Sequence, residues 1–153
     1  MRSRIPAVVL PSEAGEFADE LRRIFADLDR PGTGGLTGEC SPALDVYETD
    51  DALEISMDLP GVEADAIRVI IRGGAVLIAG DKAPRRGRGD STFHLVERGY
   101  GRFARLVRFT AACDASRARA LLEHGELRIT VPKLTDRRGA RFDVRVEART
   151  RPS

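Results

Sequence analysis

The sequence has no Trp, only two Cys and two His, and aromatic residues make up 5% of the chain. A hydrophobic core must therefore be built almost entirely from aliphatic side chains. Cys40 and Cys113 lie far apart, and the Cys and His residues lack the ligand spacing of a zinc site. We expect no bound metal and two reduced structural thiols; an intersubunit or redox-sensing disulfide is the alternative.

Long apolar runs are also missing. No stretch approaches the ~20 apolar residues that span a bilayer. Near the N-terminus, Pro6 and Pro11 interrupt the apolar run 7–10, which is too short for the hydrophobic region of a secretory signal. The expected location is the cytoplasm.

Neither sign of charge is in excess, because 25 Lys and Arg balance 24 Asp and Glu to give a net charge of +1. No overall field attracts nucleic acid or an anionic membrane. The sequence has no P-loop and no G-x-G-x-x-G, so we expect no nucleotide and no other cofactor. Asp90, Ser91 and His94 are neighbours in sequence, whereas a catalytic triad is normally assembled from separate elements. An enzyme is the least favoured class.

From residue 42 onward the sequence contains short apolar segments separated by turns. Leu127, Ile129 and Val131 alternate with polar residues, which is typical of a half-buried strand, and Pro132 ends it because proline has no N–H. Hairpins are predicted around 49–51 and across Gly73-Gly74. Strands are predicted at 43–48, 52–59, 67–72, 76–79, 92–96, 103–109, 118–122 and 126–131. This spacing predicts an all-β fold, an immunoglobulin-like β-sandwich.

Residues 1–41 differ in composition and are predicted to form an N-terminal arm. An amphipathic helix is expected at about 16–28, followed by a Gly-rich linker. Its apolar face consists of Phe17, Leu21, Ile24, Phe25 and Leu28. One interpretation is that this face covers a local core. Because little surrounding sequence is available for it to pack on, we favour a contact between subunits that can release and expose the face to unfolded chains.

Three motifs occur in order between residues 42 and 133. Residues 58–62 read Asp-Leu-Pro-Gly-Val, residues 97–105 read Glu-Arg-Gly-Tyr-Gly-Arg-Phe-Ala-Arg, and residues 120–133 place an Ala before the turn His124-Gly125 and close with Pro-Lys. They resemble the D-L-P-G-V, E-R-x-y-G-x-F-x-R and A-x-x-x-n-G-v-L motifs of the α-crystallin domain in bacterial-type small heat-shock proteins (Hsp20 / α-crystallin family). One departure is Phe109-Thr110, where the family usually has Leu-Pro after the aromatic residue.

The resemblance implies a dimer. In bacterial and plant members, a short strand carried by a loop crosses to the sheet of the partner subunit. The corresponding residues here are Thr92, Phe93, His94, Leu95 and Val96, with 80–91 as the arm. Arg105 matches the family's F-x-R arginine, which helps to hold the dimer or the sheet by pairing with a carboxylate. The alternatives are an ordinary solvated loop and a solvent-facing Arg.

The tail, 134–153, contains the apolar pair Val144 and Val146, whose side chains point the same way in an extended segment. The resemblance implies that this V-x-V anchor binds between two edge strands of a neighbouring subunit. The alternative is a chance V-x-V in a charged tail, in which Phe142 takes the place of one of the valines in the anchor. The residues expected to line the groove are Ile67, Val69 and Ile71 on one side and Ala118, Ala120, Leu121 and Leu122 on the other. Which strand faces line it is left open.

As a function, the resemblance implies an ATP-independent chaperone, or holdase, that binds partly unfolded client proteins and prevents their aggregation under stress. Its dimers would assemble into a larger homo-oligomer. Two other classes remain. One is a co-chaperone adaptor built on the same sandwich, a class that lacks the V-x-V tail and tends to be monomeric. The other is a membrane-surface stabilising protein that uses the N-terminal helix.

Overall fold

The computed structural model describes residues 17–28, 40–84, 89–134 and 141–149. Within these ranges it contains one α-helix, two single-turn 3-10 helices (Ala64–Ala66 and Ala115–Arg117) and nine strands. Their bounds are α1 Ala18–Asp27, β1 Leu44–Glu48, β2 Ala52–Asp58, β3 Ile67–Arg72, β4 Ala75–Lys82, β5 Gly101–Arg108, β6 Arg119–Glu123, β7 Glu126–Pro132, β8 Phe142–Val144 and β9 Val146–Ala148.

The strands form two sheets that pack face to face. The five-stranded sheet has the order β1-β2-β7-β6-β9, and the four-stranded sheet has the order β5-β4-β3-β8. All neighbouring strands are antiparallel except β6 and β9, which run parallel. The predicted all-β, immunoglobulin-like sandwich is therefore confirmed.

Alternation along the strands places the core between the sheets. On β2 and β7, the cross-strand pairs Leu53–Val131, Ile55–Ile129 and Met57–Leu127 point inward and are fully buried, while the residues between them face outward. The four-stranded sheet supplies the opposing layer, with Ile67, Val69, Ile71, Val76, Ile78, Phe103 and Val107. The core is aliphatic apart from Phe103, as the composition predicted.

The outer face of the four-stranded sheet is apolar as well. β4 is buried without interruption from residue 75 to residue 80, so both of its faces are covered. A second cluster on this outer face joins Ile70, Ala75, Leu77, Ala79 and Leu106 to three residues of the N-terminal segment, Phe17, Ile24 and Leu28. The helix α1 therefore lies on the outside of the sandwich as a third layer.

Two hairpin turns use a pair of residues with positive φ. Gly73 and Gly74 have φ of 57° and 74°, and His124 and Gly125 have φ of 54° and 75°. This pairing fits the type I′ turn, whose twist matches that of the flanking strands. The Gly125 carbonyl accepts a 2.7 Å hydrogen bond from the Leu59 N–H, and a Cβ on Gly125 would lie 3.0 Å from the Pro60 Cα. Two of the three sequence motifs therefore meet at this turn.

The segment 92–96 is the one predicted strand that the described chain does not form. It runs as an exposed, irregular stretch between β4 and β5. Its expected pairing partner lies in a second subunit, and in the single chain no strand edge receives it. The proposed exchange of this segment therefore stays a prediction.

Gly80 on β4 provides a test of the packing. A Cβ at this position would lie 2.4 Å from the Ala66 carbonyl oxygen and 2.6 Å from Cζ of Phe103. We expect Gly80→Ala to lower the free energy of unfolding by about 2 kcal/mol, because an added methyl group overpacks the site. Urea denaturation measures this.

Phe103→Leu is the partner substitution, because it removes Cζ and so relieves one of the two close contacts, while the contact with the Ala66 carbonyl oxygen stays. In a double-mutant cycle the two substitutions together should cost less than the sum of their separate costs. Strict additivity, or an unchanged stability of Gly80→Ala, would contradict the packing described for this strand.

Candidate functional site

The apolar face of α1 is buried against the sandwich of its own chain. Phe17, Ile24 and Leu28 are 1%, 6% and 9% exposed, and Leu21 and Phe25 pack partly against the same cluster. The expectation that this face has little to pack on is wrong. The outer face of the four-stranded sheet provides the surface, and the run Val76-Leu77-Ile78-Ala79 signalled it, because a continuous apolar strand is typical of burial on both faces. Whether the five α1 residues also contact clients or other subunits stays a prediction.

Charged side chains lie at the margin of this helix–sheet contact. Glu20 on α1 accepts a 2.7 Å hydrogen bond from Nη1 of Arg72, which lies at the end of β3, and the Glu20 side chain is only 12% exposed. The Arg72 guanidinium also lies over the ring of Phe17, with its Cζ 4.8 Å from the ring centroid, and Arg102 lies over Phe25 at 5.1 Å. No motif in the sequence pointed to Glu20, Arg72 or Arg102 as part of the site.

The tail connects the two sheets along one open side of the sandwich. β8 pairs antiparallel with β3, so that Val144 lies opposite Val69, and β9 pairs parallel with β6, so that Val146 lies opposite Ala120. Only Arg145 separates the two tail strands. Both Val side chains pack against the main core. The resemblance implies a neighbouring subunit as the acceptor, but in the described chain the tail occupies the groove of its own domain.

The structure also assigns the faces of the groove. The side chains directed into the core are those of Ile67, Val69, Ile71, Ala120 and Leu122, with Ala118 packed at its edge. Leu121 was expected to line the groove, and this is wrong. Strand alternation turns it to the outer face of the five-stranded sheet, where it lies opposite Arg128 and Glu147.

Phe142 follows the same alternation as the two tail valines. It lies opposite Ile71 on β3 and, with the loop 109–116, lines a cavity of about 680 Å³ at one end of the sandwich. The anchor therefore has three apolar side chains in phase, and Phe142 adds to the V-x-V pair rather than replacing it.

The segment proposed to form the dimer presents large apolar side chains to solvent. Phe93, Leu95 and Val96 are 60%, 73% and 58% exposed, and Thr92 and His94 are exposed as well. Together with Pro60, Lys82 and Tyr100, the three apolar residues line an open cavity of about 530 Å³. A cluster of this kind on the surface of one chain is typical of an interaction surface.

Arg105 is half-buried on β5, between the inward-facing residues Phe103 and Val107. Its Nη1 donates a 2.7 Å hydrogen bond to the Pro42 carbonyl, and burial lowers the pKa of its guanidinium. A carboxylate partner for Arg105, as the resemblance implies, stays a prediction. The bond to Pro42 fastens the segment that enters β1 to the edge strand of the other sheet. This bond has no signal in the sequence because its acceptor is a backbone carbonyl.

The two cysteines are free thiols and half-buried. Burial raises the pKa of both Cys40 and Cys113, so both are protonated and weakly nucleophilic at neutral pH. Within the described ranges, no three His, Cys, Asp or Glu side chains are grouped so that they could hold a metal ion. In that same part of the chain, no helix has the length and apolar character needed to cross a membrane.

Comparisons with known proteins agree with this architecture. Residues 45–147 match the Hsp20/alpha crystallin family. The chain is 33% identical over 102 residues to heat shock protein 16 of Schizosaccharomyces pombe, a match that covers 65% of this chain and 71% of that protein. It is 32% identical over 103 residues to spore protein SP21 of Stigmatella aurantiaca, covering 67% of this chain and 61% of the relative.

Among solved structures, heat shock protein 16.0 from Schizosaccharomyces pombe superimposes with a TM-score of 0.60 and 26% identity, covering 75% of this chain and 98% of that one. A small heat-shock protein from Xylella fastidiosa superimposes with a TM-score of 0.56 and 30% identity, covering 65% of this chain and 94% of that one. The matched residues 45–147 span the sandwich and reach into β9. The chain belongs to the Hsp20/alpha crystallin family.

Proposed function

We propose that the protein is an ATP-independent chaperone that binds partly unfolded proteins in the cytoplasm and prevents their aggregation under stress. Family membership supports this, since several relatives carry the name heat shock protein. The observation that carries the proposal is the contact between α1 and the outer face of the four-stranded sheet. Both sides of this contact are apolar, and both become available when the helix leaves.

The mechanism depends on competition for these two apolar faces. A free helix of ten residues is only marginally stable in water, so α1 depends on the sheet for its order. An unfolding client exposes apolar side chains that compete with α1 for Ile70, Leu77 and Leu106, or that contact α1 directly. The residues proposed for client or intersubunit contact remain Phe17, Leu21, Ile24, Phe25 and Leu28. No step in this competition uses nucleotide.

The same proposal includes assembly into a homo-oligomer. The exposed segment Thr92, Phe93, His94, Leu95 and Val96 would pair with the sheet of a partner subunit, and Arg105 would support that dimer by fixing the start of β1. The tail would act as a weak latch between dimers, because the edges of β3 and β6 offer the same backbone groups to any tail, whether it comes from their own chain or from another. The seated V-x-V tail disfavours the adaptor class, which was expected to lack it.

The first test uses Glu20→Lys, which places an ammonium group beside Arg72 and should weaken the docking of α1 by about 1 to 2 kcal/mol. We expect this variant to suppress light scattering from a heat-aggregating client at a lower molar ratio than the original chain does, with no nucleotide present. Asp19→Lys is the matched control, because Asp19 has the same charge in the same helical turn but pairs on the exposed side with Arg22.

The experiment distinguishes the chaperone function from the role of α1 release. If neither the original chain nor Glu20→Lys protects the client, the chaperone proposal is wrong. If all three chains protect equally, the function stands and the release of α1 has no part in it.

Arg105 is tested by Arg105→Gly. Loss of the bond to the Pro42 carbonyl and of the half-buried stem should loosen β1, lower the melting temperature and reduce the particle mass measured by size-exclusion light scattering. An unchanged mass together with an unchanged melting temperature would reject a role for Arg105 in assembly.

The latch is tested by Val144→Ser combined with Val146→Ser. Removing two partly buried valines should weaken tail binding by about 2 to 4 kcal/mol in total and speed the exchange of subunits. Native mass spectrometry of mixed light and heavy isotope-labelled protein reports the exchange rate. Asp143→Ser is the control, because Asp143 lies on β8 but is exposed and pairs with Arg141. An exchange rate that changes equally in both variants would argue against the latch.

A further inference from the structure

Docking of the tail assembles a group of arginines on the outer face of the five-stranded sheet. The parallel pairing of β6 with β9 sets Ala120 beside Val146, and both side chains point into the core. Arg119, at the start of β6, and Arg145, just before β9, are each one residue earlier. They are therefore neighbours on the outer face of the sheet. A further ladder bond, from the Arg149 N–H to the Leu122 carbonyl at 3.1 Å, keeps the end of the tail against β6.

These side chains line an open groove of about 600 Å³, which we call the arginine groove. Its charged lining residues are Arg119, Arg128, Arg145, Arg149 and Glu147. Arg128 is compensated by Glu126, with Nε 2.6 Å from Oε1. In the part of the chain that the structure describes, Arg119, Arg145 and Arg149 have no ion pair or side-chain hydrogen bond, and Glu147, although it lies between them, makes no ion pair there either.

The placement of Arg119 beside Arg145 is electrostatically unfavourable by itself. The two residues immediately precede the paired residues Ala120 and Val146, so their like charges lie near one another and oppose the docking of the tail. An anion placed between the two guanidinium groups would reverse the sign of this interaction. With Arg128 paired to Glu126, three arginines remain in the groove against one glutamate, Glu147, so positive charge is in excess where the tail docks.

We propose that the arginine groove binds a linear phosphate polyanion and that this binding stabilises the docked tail. Phosphate suits the site because a guanidinium group presents paired N–H donors that match two phosphate oxygens. A chain of phosphates suits it better than one phosphate. Arg145 and Arg149 are four positions apart, about 13 Å along an extended segment, and a chain of phosphates can span this distance where a single phosphate cannot.

The site is composite. Arg119 and Arg128 belong to the sandwich, whereas Arg145 and Arg149 belong to the tail, so neither part alone contains the full set. Docking of the tail completes the site and so raises its affinity for the anion. By linkage, the bound anion must strengthen docking of the tail by the same factor. This holds whichever subunit supplies the tail.

The test measures binding by isothermal titration calorimetry, with the full chain and, in turn, inorganic phosphate, tripolyphosphate and long-chain polyphosphate. We expect affinity to rise along this series and to fall with added salt. Arg145→Gln and Arg119→Gln should each weaken tripolyphosphate binding about tenfold, the loss expected for a charge-assisted hydrogen bond. Arg22→Gln is the matched control, because it removes the same charge from an exposed position on α1 and should leave the affinity unchanged.

The coupling has its own readout. Tripolyphosphate should slow amide hydrogen exchange in 142–148, and Val144→Ser combined with Val146→Ser should weaken binding of the anion although no arginine has changed. No measurable binding of tripolyphosphate, an equal loss in Arg22→Gln, or tighter binding of polyglutamate of matched charge would each overturn the proposal. None of these measurements involves a client, so they fail independently of the proposed chaperone function.

Discussion

The four-stranded sheet is apolar on both faces, and the rest of the described structure follows from the need to cover them. Its inner face packs on the five-stranded sheet and forms the aliphatic core. Its outer face, centred on Leu77 and Leu106, would cost free energy if left in water. The helix α1 covers it with Phe17, Ile24 and Leu28, and the Glu20–Arg72 pair limits where the helix can lie. The N-terminal segment is thus part of the folded body even though the linker region separates it from the strands in sequence.

The tail performs a similar task on another side. The sandwich is open between the edges of β3 and β6. The strands β8 and β9 fill that opening with Val144 and Val146, which point to the same side, and with Phe142 one turn of the alternation earlier. The strand pairing satisfies backbone groups on the edge of each sheet at the same time. A short peptide can do this only where two sheet edges lie close together, and here the single residue Arg145 spans the gap between β8 and β9.

The sequence predicted what depends on neighbours along the chain. The Gly73-Gly74 hairpin, the strand ended by Pro132 and the alternation on β7 are local features, and the motifs fixed their order, so the sandwich could be derived. The predictions that failed concerned contacts between residues that are far apart in the sequence. The sequence gives no direct sign of what α1 packs on, although the continuous apolar run of β4 indicated a second buried face. Leu121 and Leu122 were both listed for the groove because the sequence does not show which strand face points inward, and a shift of one residue turns a strand side chain to the opposite face. The bond from Arg105 to the Pro42 carbonyl could not be predicted, since any residue supplies a carbonyl.

The tail seated in the groove of its own chain makes each subunit a competitor for its own binding site. Nine residues separate Pro132 from Phe142, and a tether of this kind gives the chain's own tail an effective concentration in the millimolar range, whereas the tail of another subunit competes at the concentration of the protein itself. Under the proposed exchange of tails between subunits, closure within one chain would be favoured in dilute solution and exchange would increase with protein concentration. The degree of assembly would then depend on the abundance of the protein, with no separate sensor.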